Sequence, residues 1–392
     1  MNSHKLYSVL LELVEPVIPR GAGEVDPGVR GPHTHGAPLL MPNPTSITGI
    51  LLTIYHSSVK GGLVSRARDV SEWYKDFEAN LGLGDEGNSV RGPFIYIDLG
   101  DRKVLLTATL NGWSVVDELI NKLYKLKNGG YLNKPEKFGE VMRYLNELID
   151  VKYLDALEDR VTIALEENVK RIKPHYFTIF KFIDYAKVAR SVVRGQYPTV
   201  FIGVELWDKN GKISEVVKII KEPIPVRTFG RGRISVLRIL NEAPLRSVLE
   251  RVSKGKFSEV IGNAEIILYN ISPILLDVET VSEDMYHEAI MVIPAFKQIH
   301  DYVRKELEDL CKCDKSSRDC VRELRIYGKV SIIGSGYSLR FRKRKPLYNG
   351  LLPGSLIYAK VRKCSATLEE VYSKGMGLLR HLGFGTIVPL IL

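Results

Sequence analysis

No run in the chain approaches the roughly 18 apolar residues that a membrane-crossing helix needs. The amino-terminal MNSHKLYSVLLELVEP also lacks the small-residue cleavage site of a secretory leader. The expected compartment is therefore the cytoplasm, with no membrane partner. The signatures of common catalysts are missing too: no G-x-x-x-x-G-K-[ST] loop, no H-E-x-x-H and no nucleophile elbow, while GSGYSL at 334–339 lacks the third glycine of a dinucleotide loop. Cysteine is scarce, with 4 in 392 residues, three of them packed into CKCDKSSRDC as Cys311, Cys313 and Cys320, and Cys364 apart. No C-x-x-C pair or adjacent histidine completes a zinc set of recognised spacing, so neither metal nor cofactor is expected. Free thiols are the default; a local Cys313–Cys320 or Cys311–Cys320 disulfide is the alternative, of a kind found inside hyperthermophiles.

What is present is enough apolar matter for real cores and a surplus of positive charge. The hydrophobic fraction is 45%, and Lys and Arg number 56 against 46 Asp and Glu, a net charge of +10. The length suits about two domains. The charge favours a polyanionic partner such as nucleic acid over a neutral small molecule.

Along the chain, Tyr7, Val9, Leu11 and Leu13 alternate with their neighbours as a first strand, which Pro16 ends. From 19 to 44 follows a long Pro/Gly-rich stretch with Arg20, Arg30, His33 and His35, a length that usually marks a functional loop. Pro44, Thr45 and Ser46 then open a helix whose Ile47, Ile50, Leu51, Ile54 and Tyr55 lie on one face. Its first turn offers hydroxyls and unpaired N–H groups at the positive end of the dipole, suited either to simple capping or to an anion.

A hairpin is expected from 94–99 and 103–108 across Gly100 and Asp101, and three helical stretches at 113–127, 135–150 and 153–167 read as an inserted block. Strands and helices then alternate a second time to the end. At 367–389 the pattern predicts an amphipathic helix with a Thr367/Glu370 capping box, Gly375 thinning its buried stripe, and Gly383 stopping it before a final strand. The fold class expected from this alternation is α+β, in two domains with antiparallel sheets, 1–195 and 196–392, the helical insertion at about 113–167 lying in the first.

Three stretches suit RNA. In VRTFGRGRISV, Arg227, Arg231 and Arg233 surround Gly230 and Gly232 with Phe229 between them; glycines admit a phosphate chain, arginines fork to it and an aromatic ring stacks on a base. SLRFRKRK, read as a strand, sets Arg340 and Arg342 on one face against Leu339 and Phe341, a basic edge for a polyanion or a guard against aggregation. The terminal Gly383-Phe384-Gly385 turn follows a helix and faces its negative end, so it would meet a nucleic acid by bare backbone, or else serve only as a helix stop. His33 and His35 titrate near neutrality, which leaves acid–base cleavage of RNA as an alternative to ligand contact.

The first strand with its Pro/Arg/Gly-rich loop, PTSITG at Pro44 to Gly49, FGRGR, LPGSLIY at Leu352 to Tyr358 and GFGTIVP together resemble the RAMP superfamily of CRISPR effector subunits. Within it they are most similar to the Cmr-module subunits of type III-B systems that pair with the large polymerase-like subunit. The resemblance implies two packed ferredoxin-like (RRM-like) domains and no catalytic residue. It further implies binding of the repeat-derived 5′ tag of the guide RNA (crRNA), with the large subunit and neighbouring RAMP backbone subunits as partners. Thr45, Ser46, Thr48, Arg227, Gly230, Arg231, Gly232, Arg233, Gly383, Phe384 and Gly385 are its tag-binding candidates; Arg20, His33, His35, Phe229, Arg340 and Arg342 join them on the residue reading. The alternative is the RAMP-type, metal-independent endoribonuclease that processes precursor crRNA.

Overall fold

A computed structural model describes residues 5–19, 39–59, 75, 78–84, 87–132, 134–165, 172–193, 197–220, 223–228, 233–277, 296–313, 320–334, 337–338, 343–344 and 347–392. Lys5–Leu13 (β1) leads to Pro44–Val59 (α1) and then to Ser89–Asp98 (β2). Lys103–Ala108 (β3) folds back on β2 as expected, with Ile95 opposite Leu106 and Gly100 in the left-handed region at φ 85°. Gly112–Val115 (β4), the helices Val116–Asn128 (α2) and Phe138–Glu147 (α3), and Val151–Lys152 (β5) follow. The third expected helix is instead a strand, Leu157–Leu165 (β6), paired antiparallel with Ile172–Ile183 (β7). Arg160, Val161, Thr162 and Ile163 alternate polar and apolar with β-branched residues among them, a pattern that a partner strand turns to sheet.

After Tyr185–Val192 (α4) the chain returns as Thr199–Asp208 (β8), crosses Lys212–Ile219 (α5) and ends in a hairpin of Ile224–Thr228 (β9) and Arg233–Leu240 (β10). The sheet runs β5-β4-β3-β2-β8-β1-β10-β9, all neighbours antiparallel. β8 lies between β1 and β2, so the division expected at 195/196 would cut the middle of this sheet. The reason is that 99–198 is inserted between the second and third strands of a β-α-β-β-α-β path whose lateral order is β10-β1-β8-β2.

Pro244–Val252 (α6) leads to the same path again. Val260–Asn270 (β11), Phe296–Leu310 (α7), Val321–Tyr327 (β13), Leu356–Thr367 (β18), Leu368–Lys374 (α8) and Ile387–Ile391 (β19) give the order β19-β11-β18-β13, the first order repeated. Ile274–Leu276 (β12), Val330–Gly334 (β14) and Leu347–Leu351 (β17) form a side sheet, and Tyr337–Ser338 (β15) pairs with Lys343–Arg344 (β16). No helix among the described residues is long and apolar enough to cross a membrane.

One core spans both halves: Leu10, Phe94 and Trp207 of the first sheet pack with Ile266, Leu268 and Tyr372 of the second half. β1 is thus buried on both faces, Val9 and Leu11 on one and Ser8 and Leu10 on the other. Trp207 and Tyr372 meet edge to face at 5.9 Å, a geometry that adds about 1 kcal/mol beyond burial. The Thr367/Glu370 capping box forms, but the helix stops at Gly375 and not at Gly383. Gly375 and Gly377 take positive φ because the chain turns back on itself: Met376 N–H donates to Gly385 O, and Leu378 N–H to Leu275 O.

All four cysteines are in disulfides, which corrects the free-thiol expectation. Cys313–Cys320 is the local bridge foreseen, whereas Cys311 joins the distant Cys364, tying the end of α7 to β18.

Glu205 on β8 is wholly buried between the halves. It accepts from the N–H groups of Leu245 (2.6 Å) and Arg246 (3.0 Å) at the start of α6 and from the Tyr372 hydroxyl (2.7 Å). Burial nevertheless outweighs these donors and pushes its carboxyl from 4.5 to about 7. The unfolded chain loses this proton near 4.5 and the folded chain keeps it to about 7, so Glu205 costs nothing below 4.5 and destabilises increasingly as pH rises to 7. At ~1.4 kcal/mol per pH unit the loss is about 3 kcal/mol. Glu205→Gln should remove that decline, read as the urea midpoint at pH 4.5, 6 and 7.5; an unchanged pH profile would contradict it.

Candidate nucleic-acid interface

The first helix begins where the last turn of the chain ends. A Cβ on Gly383 would stand 2.6 Å from the Pro44 Cβ, so the PTSITG helix start and the G-F-G turn share one place. α1 also packs on β9, the strand that carries Arg227. Three motifs far apart in sequence therefore gather around one helix.

Their side chains are not all available. Thr45 and Thr48 are buried, Thr48 donating its hydroxyl to Pro44 O (3.3 Å), while Ser46 is exposed and its N–H donates to Asn43 O. The terminal turn is a packing device and not a bare ribbon of backbone. Phe384 is fully buried with Leu275 and Ile333, so it cannot stack on a base in this conformation. Gly383 O accepts the hydroxyls of Ser272 (2.8 Å) and Thr386 (2.9 Å), and Gly385 N–H donates to Pro273 O. The glycines serve close approach: a Cβ on Gly385 would lie 1.6 Å from Met376 O.

Arg227 is exposed on edge strand β9, opposite Ile234 of β10, and has no carboxylate partner among the described residues. Arg233 is held inside by Glu15, with its guanidinium 4.9 Å from the centre of the Phe182 ring. Phe229, Gly230, Arg231 and Gly232, like Arg20, His33, His35, Arg340 and Arg342, lie outside the described residues.

Sequence reasoning missed two groups of cations laid over aromatic rings, one on each face of the first sheet, since Arg238 stands opposite Leu10 and Arg233 lies five residues before it on β10. Arg160 covers Phe182 beside Arg233 at 5.2 Å, Arg238 lies over Phe201 at 5.9 Å, Lys103 lies over Tyr96 at 5.8 Å, and Tyr96 meets Phe201 edge to face. Each cation has its own carboxylate: Glu158 for Arg160 (2.7 Å), Glu12 for Arg238 (2.7 Å) and Glu242 for Lys103 (2.9 Å). A polyanion must displace these acids before it reaches either group, so exposed Arg227 is the cation best placed for a first contact. No run of sequence announces these groups, because their members come together only through strand pairing.

No family model matches the chain. It is 23% identical to the protein described as "CRISPR system CMR subunit Cmr3" from Saccharolobus solfataricus, over 391 residues that cover 97% of this chain and 96% of the relative. Among solved structures, a chain of a type III-B Cmr-beta complex bound to cognate target RNA and AMPPnP matches with 17% identity, covering 90% of this chain and 86% of that one at a TM-score of 0.50. The resemblance to Cmr-module RAMP subunits read from the motifs thus extends along nearly the whole chain, and the mixed helix and antiparallel-sheet architecture is shared.

Proposed function

We propose that the chain is a non-catalytic RNA-binding subunit of a type III CRISPR effector complex. In this reading it holds the repeat-derived 5′ tag of the guide RNA, anchors the large polymerase-like subunit and sits beside RAMP backbone subunits. The observation that carries the proposal is the end-to-end similarity to a Cmr subunit, since it spans the separate motifs that the fold then gathers around α1. The net charge of +10 supports a polyanionic partner. The repeated β-α-β-β-α-β order supports two ferredoxin-like units meeting after β10, with α6 opening the second.

Arg227 gives the test nearest to the site. Its loss to alanine should weaken single-stranded RNA binding and reduce the slope of log affinity against log salt by about 0.7, the share of one phosphate contact. A slope identical to that of the unaltered chain would remove Arg227 from the RNA path.

A further inference from the structure

We infer that the cleft where the two halves meet behind the terminal turn is a phosphate-binding pocket. It encloses about 400 Å³ and is lined by cations from both halves: Arg91 of β2 and Lys209 after β8 from the first, and Lys312 after α7, Lys374 of α8 and Arg380 from the second. None of these is among the motif residues discussed above. Two acids oppose them: Glu370 bonds Lys312 at 2.7 Å, and Glu306 lies 3.3 Å from Arg380. The C-termini of α7 and α8 also point there, each worth about half a negative charge. With Glu205 also acting on Arg91, the five cations leave an excess of about one to two positive charges, which suits a phosphate group.

Arg91 is the most deeply set of these cations. It is fully buried, and its bonds go only to carbonyl oxygens: Nε to Tyr372 (2.7 Å), Nη1 to Val90 and to Arg380 (2.8 Å), and Nη2 to Ser373. Four of its five N–H groups are thus engaged. The buried Glu205 carboxyl acts on this guanidinium electrostatically without bonding it, so its charge is only partly met. Among the described residues the one ring on the lining is the His381 imidazole, and no Phe, Tyr or Trp lines the cleft, so recognition rests on the phosphate.

Such a phosphate comes either free from solution or as part of an RNA chain; only the second source rests on the proposed function. The experiment compares thermal unfolding in sodium phosphate and in sodium chloride of equal ionic strength, for the unaltered chain and for Lys209→Gln/Lys374→Gln. The retention of a single-stranded oligoribonucleotide is measured in parallel. Expected is a phosphate-specific rise in midpoint and a fall in phosphate affinity of about tenfold or more in the double variant. A variant that also loses RNA affinity makes RNA the source, and unchanged RNA affinity makes it free phosphate; both sustain the pocket. Absence of a phosphate-specific rise, or an equal rise in the double variant, overturns the pocket, and RNA binding intact in that case leaves the proposed function standing.

Discussion

Arg91→Ala should lower the stability of the folded chain by about 3–5 kcal/mol, the scale of breaking a buried charged network by removing one partner. Arg91 leaves the first sheet and donates to Tyr372 and Ser373 at the end of α8 and to Arg380 beyond it, so one side chain satisfies helix-end carbonyls in the other half. Burial costs it some of its charge affinity, drawing its pKa down from 12.5 to about 9, yet it stays ionised at neutral pH. With alanine, several buried carbonyls lose their donor at about 1–3 kcal/mol each, partly offset because no guanidinium need then be desolvated. Arg91→Lys should rescue little, since an ammonium cannot reproduce the planar fork. Urea unfolding monitored by tryptophan fluorescence checks both variants. A loss below about 1 kcal/mol for alanine would mean that Arg91 does not hold the halves together.

Reduction of Cys311–Cys364 should cost about as much. The bridge closes a loop of 53 residues, and loop-closure entropy assigns roughly 4 kcal/mol to such a ring, against roughly 2 kcal/mol for the 7-residue ring of Cys313–Cys320. The longer ring encloses β13 to β17, so opening it frees the unfolded state of about a third of the second unit. Cys364→Ala should therefore lower the urea midpoint far more than Cys313→Ala. The chain purified without reductant should yield no alkylated thiol after denaturation; four alkylated cysteines, or equal midpoints with and without reductant, would contradict this.

Elements defined by local chemistry were legible in the sequence. The alternation in β1, the proline and hydroxyls opening α1, the Gly100 turn and the Thr367/Glu370 capping box all act within a few residues, and each is where its pattern put it. What depends on distant partners was not. Residues 157–165 become a strand because β7 pairs with them, and β8 joins the first sheet because β1 and β2 leave a place between them. The bond from Cys311 to Cys364 needs α7 laid against β18, which no spacing encodes.

The candidate site divides in the same way. The G-F-G turn was readable as a helix stop or as bare backbone for a nucleic acid, but Pro44 and Met376 fill the space around its glycines and Phe384 is packed inward. Arg227 keeps an exposed place on a sheet edge, whereas Arg233, equal to it in the motif, is committed to Glu15. Which arginine of a motif is available is settled by the acid that happens to face it across strands, a pairing invisible along the chain.

The central claim is that this subunit grips the guide's 5′ tag without cutting it. Labelled guide RNA carrying its repeat-derived tag, and the same RNA with the tag scrambled, should be mixed with the purified chain across a salt series, with retention and RNA length both recorded. The account predicts retention that prefers the tag, weakens with salt and leaves the RNA at full length. Shortened RNA would make the chain a processing nuclease, and no retention at any salt would remove RNA binding from the isolated chain altogether.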